Sequence, residues 1–81
     1  MLTKLTRKTW RKGRLKVVFD PEDEATPFMV YMASARSSQT YWCATGAGDI
    51  GGEPLSSNEM EWLDSLLPEI EKLDDALPPR E

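Results

Sequence analysis

Between residues 56 and 77 apolar side chains recur at helical spacing. Advancing ~100° per residue, Met60, Trp62, Leu63, Leu66, Leu67, Ile70, Leu73 and Leu77 share one arc of about 160°, and Glu61, Asp64, Glu71 and Asp75 gather opposite it. The pattern predicts an amphipathic helix with an acidic back. Ser56 followed three residues later by Glu59 has the spacing of a capping box, in which hydroxyl and carboxylate each satisfy one orphan backbone N–H. Pro68 interrupts the pattern, because an internal proline removes one helical hydrogen bond at a cost of ~3 kcal/mol. A kink or a break near Leu67 follows. One kinked helix and two short helices both fit, since Glu69 and Glu71 would suit a second first turn. The half before Pro68 is the safer packing segment, and the half after it is the expected moving or partner-contacting element.

Earlier in the chain the period changes to two. Leu15, Val17 and Phe19 alternate with Arg14, Lys16, Val18 and Asp20, which predicts a half-buried strand ending at Asp20-Pro21. Residues 28 to 35 are apolar on both sides and read as a second, central strand. A third strand is expected at 40 to 45, with Thr40, Trp42 and Ala44 alternating against Tyr41, Cys43 and Thr45, joined by a hairpin through residues 36 to 39. The basic residues 1 to 13 form an arm or a first strand, ended by Gly13. Residues 46 to 55, with four glycines, read as a flexible loop.

These elements compose an α+β domain: a small antiparallel meander of three to four strands with the C-terminal amphipathic helix, kinked or broken at Pro68, packed on one face. The other face would stay open. Met29, Tyr31, Tyr41 and Cys43, or their alternates along each strand, are expected there as a semi-apolar surface of the kind that receives partners or a second copy.

Composition narrows the chemistry. A chain of 81 residues gives one domain with a core near the lower limit for folding without metal or disulfides. One cysteine and no histidine rule out an internal disulfide and the usual zinc sets, and no apolar run is long enough to span a membrane. A cytoplasmic protein is the expectation, without membrane or cofactor. Gly46, Gly48 and Gly51 match a dinucleotide fingerprint in form, but Gly52, Glu53 and Pro54 separate them from the helix that would hold the pyrophosphate. The acids of residues 20 to 24 lack the spacing of a calcium loop and read as solvated. Cys43 has no base to activate it and reads as a buried structural thiol. No nucleophile-and-base set can be assembled, so the expectation is a non-enzyme.

Charge gives the remaining signal. The net charge of -4 conceals seven basic residues and no acid in positions 1 to 16, against three basic residues and all fourteen acids in the rest. The acidic helix back, Glu61, Asp64, Glu71 and Asp75, with Trp62 at the edge of the apolar arc, forms a candidate surface for a basic protein partner. Lys4, Arg7, Lys8, Trp10, Arg11, Lys12 and Arg14 form a candidate nucleic-acid contact, cations for phosphate with an aromatic for stacking. The leading expectation is a small protein-binding module that modulates a nucleic-acid-binding or transcription-regulating partner, as do accessory regulators and inhibitors carried by mobile elements. Direct nucleic-acid binding and a structural subunit or homodimer are the alternatives. A plain solvated helix face, with the basic end lying beside the acids of its own chain, accounts for the same charges without any partner.

Overall fold

The computed structural model describes residues 6–23 and 25–77. Four strands, β1 (Lys8–Lys12), β2 (Leu15–Phe19), β3 (Phe28–Met32) and β4 (Gln39–Thr40), form one antiparallel sheet in chain order. The expected meander is therefore present, and residues 8–12 take the strand alternative. The β1–β2 turn works because Gly13 adopts φ 57, a left-handed position that glycine enters without a Cβ clash and that tight hairpins require.

Register then sorts every side chain to a face. Lys12, Trp10 and Lys8 oppose Leu15, Val17 and Phe19, which in turn oppose Met32, Val30 and Phe28. With a side-chain period of two, these residues share the inner face, and Thr9, Arg11, Lys16, Val18, Met29 and Tyr31 share the outer one. The inner strand residues join Tyr41, Ala44, Ile50, Leu63 and Ile70 in one buried cluster, with the Phe19 and Phe28 rings stacked 4.8 Å apart. Each large aliphatic side chain so buried contributes about 1.5–3 kcal/mol.

Residues 40 to 45 correct the strand expectation. Only Gln39–Thr40 pairs with β3, and the chain turns at once into α1 (Tyr41–Ala47). Thr40 is its N-cap, accepting from the Cys43 N–H, and Gly48 closes it in the left-handed conformation with its N–H on the Ala44 carbonyl. Tyr41 and Ala44, three apart, are the buried pair, a helical period that overrides the β preference of Thr, Tyr and Trp. Two further expectations fall with it: Tyr41 is fully buried on the inner side, and Cys43 is exposed on a helix. The glycine-rich stretch is likewise no flexible loop. It contains the end of α1 and a hairpin of β5 (Asp49–Ile50) with β6 (Glu53–Pro54). That hairpin is pinned, because the Gly51 N–H donates to the Gln39 side chain, and Gly51 approaches Ser37 too closely to leave room for a Cβ.

The C-terminal helix α2 (Ser57–Ala76) runs unbroken through Pro68, so it is not two helices. Pro68 is exposed. The carbonyl of Asp64, four residues earlier and also on an exposed residue, loses its intrahelical donor where water can replace it. Ser56 and Glu59 complete the capping box as expected. Ile70, after the proline, is as deeply buried as Leu63 before it, so the second half of the helix is anchored too. No helix among the described residues is long and apolar enough to cross a membrane.

Candidate functional site

Six of the seven acids of α2 divide into two sets, and the seventh, Asp74, is exposed outside both. Glu59 and Glu69 are engaged by the β1–β2 hairpin. Arg14 donates through Nε to Glu59 Oε2 at 2.7 Å and through Nη2 to Glu59 Oε1 at 2.9 Å, while Oε1 also accepts the Ser56 N–H at 2.8 Å. Arg14 reaches Ser34 Oγ and the Pro54 carbonyl as well, so one guanidinium joins the hairpin turn, β6 and the start of α2. The Arg14 hydrogen bond, with the Ser56 backbone adding to it, holds the Glu59 carboxyl down at about 2. Further along the helix, Trp10 Nε1 donates to Glu69 Oε2 at 2.6 Å. A third link runs from α1, where the buried Tyr41 hydroxyl donates to the Leu63 carbonyl. Burial pushes the Tyr41 hydroxyl up to about 12, with the carboxylates of Asp64 and Glu71 adding to the effect, so it remains a donor at neutral pH.

Glu61, Asp64, Glu71 and Asp75 form the other set. All four are exposed, and none forms an ion pair among the described residues. At 1.5 Å rise per residue they define a stripe about 21 Å long, with Pro68 in the same row. Trp62 lies elsewhere, half-buried on the β1 side of the helix, where it lines a cavity of about 170 Å³ with Lys12, Gly13, Leu15, Asn58 and Glu59.

The basic residues are dispersed by the same register. Trp10 and Arg14 are committed to α2, Lys8 and Lys12 flank Trp10 on the inner face of β1, and Arg11 points to the outer face; Arg7 is exposed ahead of the strand. Lys4 lies outside the described residues. Arg11, Lys16 and Tyr31 come together, since Arg11 opposes Lys16 and Lys16 opposes Tyr31. Neither Lys16 nor Tyr31 is marked by the basic run at 7 to 14. The signal that finds Lys16 is the two-residue turn at Gly13, which fixes 11 opposite 16. Among the carboxylates of residues 20 to 23, Asp20 accepts from the Glu22 N–H and Asp23 from the Ala25 and Thr26 N–H groups, so they shape their own turn. No group of His, Cys, Asp and Glu that could hold a metal exists among the described residues.

No family model, no curated protein and no solved structure matches this chain.

Proposed function

We propose that this protein is a non-enzymatic cytoplasmic module that docks through the exposed stripe of α2 on the basic surface of a partner protein and modulates it. The observation that supports the reading is the unpaired state of Glu61, Asp64, Glu71 and Asp75 beside Glu59 and Glu69, which the fold does use. Glu61 with Asp64 and Glu71 with Asp75 sit at like-charge spacings of three and four, each destabilising a helix by ~0.2–0.5 kcal/mol. Nothing in the packing requires them there, whereas a cationic surface would turn the same repulsion into attraction and faster association. Surfaces of that sign belong above all to proteins that bind polyanions, which makes a nucleic-acid-binding or transcription-regulating protein the partner of choice.

The test is a reversal of Glu61, Asp64, Glu71 and Asp75 to lysine. Immobilised native protein should retain one basic partner from lysate, identified by mass spectrometry and released by salt, and the reversed protein should lose it while keeping its circular dichroism. Equal retention by both would sink the reading.

A further inference from the structure

The outer face of the sheet carries a second, unrelated feature. At its turn end lies a cavity of about 270 Å³ that runs from the outer-face Arg11, Lys16 and Tyr31 to Arg14 and the inner-face Leu15 and Met32, with no carboxylate in its wall. Arg14 is already matched by Glu59. Arg11 and Lys16 form no ion pair among the described residues, which leaves two uncommitted cations in one row with an exposed tyrosine. Tyr31 is 38% exposed, and Lys16 Nζ stands 4.9 Å above its ring centroid. From these observations we infer that this cavity binds single-stranded nucleic acid, with phosphate on Arg11 and Lys16 and a base stacked on Tyr31.

Two objections can be weighed by magnitude. Lys16 already occupies the tyrosine face, but a solvent-exposed cation–π contact is weaker than the stacking of a base on an aromatic ring. Exchange favours the base, and the displaced ammonium is then free for phosphate. The molecule is also net acidic. Its unpaired helix acids, however, lie on α2 and outside the cavity wall, and the Debye length at physiological salt is about 8 Å. With Glu59 offsetting Arg14, the wall keeps the unmatched charges of Arg11 and Lys16. A strand with unpaired bases fits better than a duplex, because an intact stack offers no free base to Tyr31.

Fluorescence anisotropy with 5′-labelled twelve-nucleotide oligothymidylate and oligouridylate tests this. Saturable binding is expected, weakening about sevenfold between 50 and 200 mM salt if two phosphates are neutralised. Tyr31→Ala should weaken it about tenfold, and Arg11→Ala with Lys16→Ala should weaken it as much and flatten the salt dependence. Tyr31→Leu keeps apolar cover should the alanine variant fold poorly, and it should lose the same affinity. Arg36→Ala, outside the cavity, should leave binding within about twofold. No saturable binding of either oligonucleotide at 50 mM salt would overturn the inference, as would unchanged affinity in folded Tyr31→Leu or equal affinity for a duplex.

Discussion

The two sides of α2 are made of neighbouring residues that do opposite things. Ile70 is fully buried against the sheet, and Glu71, the next residue, stands in solvent with no ion pair among the described residues. The sheet side gathers apolar contacts and, at its margins, the linked carboxylates Glu59 and Glu69. The far side carries Glu61, Asp64, Glu71 and Asp75, which form no ion pair among the described residues, with the exposed Lys72 beside them. The difference separates residues that make the structure from residues that the structure merely displays, and only the second kind can be changed without unfolding the molecule.

Substitutions on the two sides should therefore differ in size and even in sign. The largest effect belongs to Leu63→Ala or Ile70→Ala, each expected to remove about 2–5 kcal/mol, read as a shift of the urea midpoint. In a small domain this approaches the whole stability. Glu59→Gln comes next, losing about 1 kcal/mol through its cap and ion pair, with a diagnostic pH dependence. The Glu59 carboxyl falls from 4.5 to about 2 on folding. Its stabilising contribution is thus complete above about pH 4.5 and is lost as pH falls through about 2. Thermal melts of the native protein should show that loss, and Glu59→Gln should lack this component. The smallest effect belongs to the stripe: neutralising Glu61, Asp64, Glu71 and Asp75 to their amides should leave the urea midpoint unchanged or raise it slightly, since like-charge pairs vanish. A marked fall would show that these carboxylates support the fold and would erase the contrast between the two sides.

Much of this arrangement was legible in the residues alone. The arc from Met60 to Leu77 and the pair Ser56 and Glu59 located α2, and alternation located β2 and β3. Residues 40 to 47 were not legible, because Thr40, Tyr41, Trp42 and Thr45 favour strands locally while the cap at Thr40, the left-handed Gly48 and the burial of Tyr41 with Ala44 act together only in the folded chain. Pro68 left one helix or two open for a related reason: its cost depends on which side of the helix it occupies, and on the exposed side water can meet the orphaned carbonyl. The basic run at 7 to 14 looked like one surface, yet alternation along β1 splits it, sending Trp10 and Arg11 to opposite faces and Arg14 to Glu59. In the cavity over Tyr31 the Gly13 turn sets Arg11 opposite Lys16, but the pairing of Lys16 with Tyr31 spans the β2–β3 connection, which no local pattern reveals.

β1 is the outermost strand, and no other strand among the described residues occupies its free edge. Open backbone edges are where sheets of separate molecules fuse into fibrils. Were two copies to pair here antiparallel about Trp10, Lys8 of each would face Lys12 of the other, and like charges directly opposite disfavour such a ladder. These two lysines thus act as guards of solubility. Their protection is electrostatic and lapses at about 1 M salt, where screening shortens to about 3 Å, so concentrated salt is the condition under which this chain is most exposed to edge-to-edge aggregation.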